Sequence, residues 1–172
     1  IKNPTVTGSG GSYAMESQDV SDILIDQGTA AANTITAGAL SATNVQPTSL
    51  VAGAAGNATV SFTTANPIPA DGKILVTFGS GFVFNSGAAT AASSATMNGT
   101  FTVGIAGQTV TLTRSGGAQQ NAGEAETITL TNIKNPVISG STGIYAIKTT
   151  TNGNVDIDQD TAVAADAITA AT

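Results

Sequence analysis

The chain contains one segment twice, at residues 1–40 and again at residues 133–172, whereas residues 41–132 occur once. When residues 1–30 are placed over residues 133–162 without gaps, 14 of the 30 positions are identical, and both copies begin with IKNP. One extra residue in the second copy then aligns the ITA at position 35 with the ITA at position 168. A period of 132 residues is too long for a solenoid and is typical of whole domains in tandem.

The repeat predicts that residues 41–172 form one complete unit and that residues 1–40 are the tail of a preceding unit. Because Ile1 begins inside a repeat, we expect the chain to be a processed or truncated piece. A tail of this size cannot bury a core of its own, and its free strand edges would pair with another sheet. It therefore either completes a domain that precedes it in a longer covalent chain, or is donated to a neighbouring molecule, joining subunits head to tail.

Alternation of apolar and polar residues with a period of two predicts a protein built of β-strands. In residues 57–64 the alternation places Ala58, Val60 and Phe62 on one face, and residues 126–132 and 143–150 alternate in the same way. About eight such strands between Ser41 and Thr172 indicate an antiparallel sandwich or barrel. The phenylalanines all lie in the single-copy part and are expected to anchor its core: Phe62, Phe78, Phe82, Phe84 and Phe101.

Charge and composition exclude several kinds of partner and chemistry. Charged residues make up 9% of the chain, with 11 acidic and 5 basic residues and a net charge of −6. Nucleic acids and anionic membrane surfaces both require clustered lysine and arginine, so neither is an expected partner. No run of 18 apolar residues is present, so no membrane span is expected. The absence of cysteine and histidine removes disulfides, thiol nucleophiles, zinc sites and the Ser-His-Asp triad.

Two stretches resemble tandem extracellular β-sandwich modules of large surface proteins from algae, related microbial eukaryotes and some prokaryotes. They are ATVSFTTANPIPADGKILVTFGSGF (Ala58–Phe82) and ETITLTNIKNPVISGSTGIYAIKTT (Glu126–Thr150). The resemblance rests on a strand–turn–strand pattern and on IKNP followed by G-S-x-G-x-Y. It covers most of residues 41–172 and, as a tail, residues 1–40. It implies an immunoglobulin-like antiparallel β-sandwich in a fibrous or cell-surface protein, and it carries no catalytic motif.

Two asparagines are candidate N-glycosylation sites. Asn57-Ala58-Thr59 and Asn98-Gly99-Thr100 both match the acceptor pattern. In a eukaryotic secreted protein, exposed turns of this kind would carry N-linked glycans. We therefore expect covalently attached glycans at Asn57 and Asn98, although a chain rich in threonine and asparagine also produces such triplets by chance.

An acidic stretch at residues 152–160, NGNVDIDQD, places oxygen ligands at alternate positions, as a calcium loop does. Ile157, however, stands at the sixth position, where such a loop requires glycine. The first copy keeps only one of the acids, Asp26, which matches Asp158. We therefore expect Asp156, Asp158 and Asp160 to form a solvated acidic strand edge, which also discourages wrong sheet pairing.

We expect neither enzymatic activity nor a cofactor. Glu124 and Glu126 are paired carboxylates of the kind that glycosidases use, but they lie beside a strand start, and the chain has no tryptophan to line a sugar cleft. Alternate threonines resemble an ice-binding surface, although threonine is also the usual exposed residue of a sheet with few charges. These threonines form two rows: Thr109, Thr111 and Thr113, and Thr127, Thr129 and Thr131.

The sequence therefore predicts a structural building block of an extracellular filament or cell-surface repeat protein. Its expected partners are copies of itself or adjacent repeats, arranged head to tail, with IKNP at the seam between units. Asn3-Pro4 and Asn135-Pro136 would fix an extended bend at that seam. The alternatives are an adhesin or carbohydrate-binding module of the same fold and, more remotely, an ice-binding protein.

Overall fold

The computed structural model describes residues 2–172, and over these residues the chain is all-β. Ile1, the first residue of the first IKNP, lies outside the described residues. No helical segment that could cross a membrane occurs between residues 2 and 172.

Sixteen strands follow one another between residues 2 and 172. They are β1 (Gly8–Ser9), β2 (Tyr13–Gln18), β3 (Leu24–Ala30), β4 (Thr34–Ile35), β5 (Gly38–Ala39), β6 (Ser41–Pro47), β7 (Ala55–Thr63), β8 (Lys73–Thr77), β9 (Ala92–Ser94), β10 (Thr100–Ala106), β11 (Thr109–Ser115), β12 (Ala125–Lys134), β13 (Gly140–Ser141), β14 (Tyr145–Thr150), β15 (Asp156–Val163) and β16 (Ala167–Ile168).

Two sheets form the body of the protein and pack face to face as a β-sandwich. One sheet has four strands in the order β6-β7-β12-β9, and the other has six in the order β10-β11-β8-β14-β15-β5. All neighbours in these sheets are antiparallel except β15 and β5, which pair in parallel. The apolar residues of the two inner faces belong to one continuous core, to which β7 and β12 contribute from one sheet and β8, β11 and β14 from the other.

The phenylalanines anchor this core as predicted. Phe62, Phe78 and Phe82 are buried, while Phe84 and Phe101 are partly buried against them. The ring of Phe78 lies at the centre of an aromatic group, with its centroid 5.1 Å from Phe82, 5.3 Å from Phe84 and 5.7 Å from Tyr145. These rings meet edge to face, the geometry that the aromatic quadrupole favours.

The period-two alternation located the long strands correctly, with the exception of β6. Ala58, Val60 and Phe62 face the core from β7, as the alternation predicts, and β10 and β11 form an antiparallel hairpin. The unit contains eleven strands from β6 to β16 instead of about eight. The additional ones are β6, β9 and β13. β9 and β13 have three and two residues, too few to show an alternation, and the seven residues of β6 contain only one large aliphatic side chain, Val45.

Candidate functional site

Residues 8–35, the first hairpin, fold in the same way as residues 140–168, the second hairpin. In the first, β2 and β3 pair Ser17 with Asp26; in the second, β14 and β15 pair the equivalent Thr149 with Asp158. Positive φ angles recur at equivalent glycines with nearly equal values: 140° and 137° at Gly8 and Gly140, and 77° and 75° at Gly11 and Gly143. The sequence repeat is therefore also a repeat of backbone conformation.

The one extra residue of the second copy is absorbed as a β-bulge. In the first hairpin Tyr13 faces Ala30 and Ala14 faces Thr29, without a break. In the second hairpin the register shifts between Tyr145, which faces Val163, and Ile147, which faces Asp160. A bulge places two residues opposite one and leaves the ladder intact on both sides. The insertion thus changes the length of the second hairpin but not its fold.

The two hairpins differ in what covers them. The second hairpin contributes its inner face to the core, whereas the same face of the first hairpin lies open. The exposed fractions are 46% for Tyr13 and 0% for Tyr145, 57% for Met15 and 0% for Ile147, and 62% for Ile25 and 2% for Ile157. Burying a side chain of this size stabilises a fold by about 1.5–3 kcal/mol. The first hairpin therefore presents an apolar face with the composition of a core.

The contacts of the second hairpin show which residues the equivalent face and strand edge bind when they are covered. β14 pairs with β8 in register, with Ala146 opposite Thr77 and Thr150 opposite Lys73. Tyr145 places its ring perpendicular to that of Phe78, with an interplanar angle of 89°. All of these partners lie in the single-copy part of the chain. In the first hairpin, β2 pairs within residues 2–172 only with β3, so the equivalent edge of β2 is open.

Asp158 is buried, so the predicted solvated acidic edge is wrong at this position. Its Oδ2 accepts hydrogen bonds from the backbone nitrogens of Ala65 (3.0 Å) and Asn66 (2.8 Å), and its Oδ1 accepts one from Asn66 Nδ2 (2.8 Å). A bulge at Ile157 causes the error, because it turns Ile157 and Asp158 inward together. The equivalent Asp26 is exposed.

The other two acids of this stretch are half-buried and have their own partners. Asp156 Oδ2 forms an ion pair with Lys148 Nζ at 2.9 Å, and Asp160 Oδ2 accepts a hydrogen bond from Thr43 Oγ1 at 2.6 Å. Asp156 is therefore bound to β14 of its own sheet and Asp160 to β6 of the opposite sheet, so the two carboxylates have separate partners. Among residues 2–172, no group of three or more acidic, histidine or cysteine side chains has the spacing of a metal site.

The second IKNP lies at the junction between the single-copy part and the second hairpin. Ile133 and Asn135 are buried, and Asn135 Nδ2 donates to the carbonyl oxygens of Ser49 (2.7 Å) and Val51 (3.0 Å). In the first copy Asn3 is exposed. In the second copy the motif thus binds the hairpin to the single-copy part of its own unit.

The first hairpin is joined to the sandwich that follows it through few contacts. β5 adds to β15, Leu40 enters the core, and the Thr7 nitrogen donates to the Asp156 carbonyl oxygen at 2.9 Å. None of these contacts covers Tyr13, Met15 or Ile25. The apolar face is therefore held beside the sandwich and remains open.

Both candidate glycosylation sites are exposed. Asn57 lies in β7, where its backbone nitrogen donates to Thr48 Oγ1 at 3.2 Å. Asn98 lies in the turn before β10, where its Oδ1 accepts a hydrogen bond from the Ala118 nitrogen at 2.8 Å. Neither observation tests the modification, which stays a prediction for both residues.

The two threonine rows lie on β11 and β12, in different sheets, so they do not form one surface.

A second polar cluster, which sequence reasoning missed, closes one end of the core. Arg114 is the last inward residue of β11, and Glu126 is the first inward residue of β12; both are buried. Gln120, in the loop between these strands, donates from Nε2 to Glu126 Oε1 at 2.8 Å. The spacing of two could have predicted the burial of both residues. Arg114 lies on the same strand face as Val110 and Leu112, and Glu126 lies on the same face as Ile128 and Leu130.

Burial raises the pKa of the Tyr145 phenol well above its ordinary value, and the hydrogen bond from its hydroxyl to Asp166 Oδ2 (2.9 Å) acts in the same direction. The unfolded chain loses the phenolic proton near pH 10 and the folded chain does not, so stability should fall as pH rises above about 10. In a Tyr13→Phe chain, tyrosinate absorbance should appear together with alkaline unfolding. Tyr145→Phe should remove this contribution to the pH dependence of stability. If Tyr145 ionised near pH 10 in the Tyr13→Phe chain while the circular dichroism of the sheets stayed unchanged, the prediction would be wrong.

No protein family model matches this chain, and no curated protein is significantly similar to it. Among solved structures, the chain is similar to BslA, described as a bacterial hydrophobin. The TM-score is 0.43 and the sequence identity is 16%, and the alignment covers 77% of this chain and 98% of BslA.

Proposed function

We propose that this chain is a structural unit of an extracellular filament or cell-surface repeat protein, built from immunoglobulin-like sandwiches arranged head to tail. One observation carries the proposal: the first hairpin has the backbone of the second hairpin, yet exposes the residues with which the second hairpin completes its sandwich. The first hairpin is accordingly the closing hairpin of a preceding sandwich. Its partner is a second copy of residues 41–132.

The second hairpin specifies how that partner is bound. By the register of β14 on β8, β2 would place Ala14 opposite Thr77 and Gln18 opposite Lys73 of the preceding copy. Asp26 would then accept the hydrogen bonds that Asp158 accepts from Ala65 and Asn66. Strand addition of this kind satisfies backbone groups along the whole edge and buries alternate side chains in the partner.

Stoichiometry favours a covalent array over donation between separate chains. Each chain contains one β8 edge and two hairpins that fit it, and its own β14 already occupies that edge. A pool of identical chains would therefore leave one hairpin of every chain without an acceptor. In a continuous array, each hairpin has one sandwich to close. Low charge and two exposed glycosylation sequons suit an extracellular location for such an array.

A chain with an added copy of residues 41–132 before Ile1 tests the proposal. We expect amide hydrogen exchange in residues 13–18 to become as slow as in residues 145–150, because both strands would then be hydrogen-bonded to a neighbouring strand on each side. In the 172-residue chain only residues 145–150 should be protected. Asp26→Ala in the extended chain is the matched control, and it should weaken protection of the first hairpin only. Equally fast exchange of residues 13–18 in both chains would contradict the proposal.

A further inference from the structure

The buried carboxylate of Glu126 holds a hydroxyl on one oxygen and an amide on the other. Thr96 Oγ1 donates to Glu126 Oε2 at 2.6 Å, and Gln120 Nε2 donates to Glu126 Oε1 at 2.8 Å. Gln120 Nε2 also lies 3.4 Å from the Thr96 carbonyl oxygen. The hydroxyl of Thr96 and the carboxamide of Gln120 are therefore neighbours, although 24 positions separate them in sequence.

The carbonyl end of the same carboxamide faces a positive charge. Arg114 Nη2 lies 3.5 Å from Gln120 Oε1, and the guanidinium is held by the carbonyl oxygens of Pro69 (2.6 Å) and Ala118 (2.8 Å). Arg114 Nε is buried and has no hydrogen-bond partner of its own. A fixed cation at a carbonyl oxygen makes the carbon more electrophilic and stabilises negative charge that develops on the oxygen.

These contacts place a nucleophile, a base, an electrophile and an oxyanion-stabilising group together. We propose that Thr96 and Gln120 form an intramolecular ester, Oγ1 to Cδ, with release of ammonia. The bond would tie the loop between β9 and β10 to the loop between β11 and β12, across the end of the sandwich. It acts within one unit and does not depend on how units assemble.

The reaction balances with the groups present. Glu126 Oε2 takes the proton of the Thr96 hydroxyl as Oγ1 attacks Cδ of Gln120, and the carbonyl oxygen becomes an oxyanion beside Arg114. The carbon–nitrogen bond then breaks, and the proton held by Glu126 passes to the departing nitrogen, to which Oε1 is already hydrogen-bonded. Ammonia leaves, the carboxylate is regenerated, and nothing is oxidised or reduced.

The surroundings allow the product to leave while keeping the acyl group shielded. An open cavity of about 480 Å³ borders Thr96, Gln120 and Glu126, which gives ammonia a path to solvent. Gln120, Glu126 and Arg114 are themselves buried. Thr96 is exposed as a residue, so replacing it with valine removes no buried apolar contact, although Glu126 Oε2 and the Thr127 nitrogen lose a hydrogen-bond partner.

Mass spectrometry of the denatured, purified 172-residue chain tests the ester directly. We expect a mass below that of the sequence by one ammonia. Trypsin cleaves after Arg114, which lies between the two linked residues, so peptides 74–114 and 115–134 should remain joined. Hydroxylamine, which cleaves esters, should release them. Separate peptides from the untreated chain would overturn the proposal, even with ammonia lost, because a succinimide at Asn98-Gly99 gives the same mass change.

Substitutions separate the ester from a purely structural hydrogen-bond network. Thr96→Val removes the nucleophile at an exposed position, and Glu126→Gln removes the base; both should abolish the joined peptide completely. Thr96→Ser keeps a hydroxyl and should retain the link, as should the control Thr129→Val on the outer face of β12. A joined peptide that persists in Thr96→Val would assign the bond to another residue and overturn the proposal.

Discussion

Replacing Ile147 with alanine should lower the free energy of unfolding by about 2–5 kcal/mol, whereas replacing Met15 with alanine should change it by less than about 0.5 kcal/mol. The two residues are equivalent in the repeat, but Ile147 is fully buried and Met15 is largely exposed. The first substitution leaves a cavity between β14 and the opposite sheet. The second removes a side chain that contacts mainly water.

Urea unfolding followed by circular dichroism measures both changes in the 172-residue chain. The extended chain, with a second copy of residues 41–132 before Ile1, supplies the contrast. There Met15→Ala should become costly, by about 2 kcal/mol or more, because the side chain gains the environment that Ile147 has now. If Met15→Ala is already as destabilising as Ile147→Ala in the 172-residue chain, the conclusion that the apolar face of the first hairpin is exposed is wrong.

Replacing Arg114 with methionine should destabilise the protein by about 3–5 kcal/mol, because it leaves Glu126 buried without a compensating charge. The substitution also removes the donors that satisfy the carbonyl oxygens of Pro69 and Ala118. The double variant Arg114→Met/Glu126→Leu should recover the part of the loss that comes from the uncompensated charge of Glu126, because apolar side chains of similar volume often replace buried charges without cost. The carbonyl oxygens of Pro69 and Ala118 would remain without their donors.

This cycle is best measured in a Thr96→Val background, so that no covalent link contributes to any of the four chains. The free energies of unfolding then give the coupling between Arg114 and Glu126 directly. A double variant whose loss of stability equals the sum of the two single losses would mean that the two residues contribute independently, and that Gln120 does not connect them.

The sequence predicts the strands of this fold well where the alternation is long and apolar. β7, β11 and β12 each contain three or more inward positions in phase, and a shift of one residue would expose all of them. Polar residues that point inward are harder to predict: the solvated edge predicted at Asp158 is wrong, and no prediction covered the burial of Arg114 and Glu126. Arg114, Glu126 and Asp158 are buried because their partners come from loops at residues 65–69 and 118–120. Such contacts join residues distant in sequence, and no local pattern encodes them.

The parallel pairing of β5 with β15 also could not be predicted from the sequence. A strand of two residues, Gly38 and Ala39, has no alternation, and its partner residues Asp158 and Gln159 lie near the other end of the chain. Gly38 is required there, because a side-chain carbon at this position would meet the Asp158 carboxylate and the Asn66 amide. The repeat, in contrast, is visible in the sequence itself, and it predicts that the first hairpin has the fold of the second.

The short step from β4 to β5 has a mechanical consequence. β4 belongs to the first hairpin and β5 to the sandwich that follows, and only Thr36 and Ala37 lie between them. An extended chain spans at most about 3.6 Å per residue, so this connection has almost no slack. In the proposed array, adjacent sandwiches could neither separate nor swivel freely, and bending would have to strain folded structure. The array would therefore behave as a stiff rod with a long persistence length, unlike beads on a flexible tether.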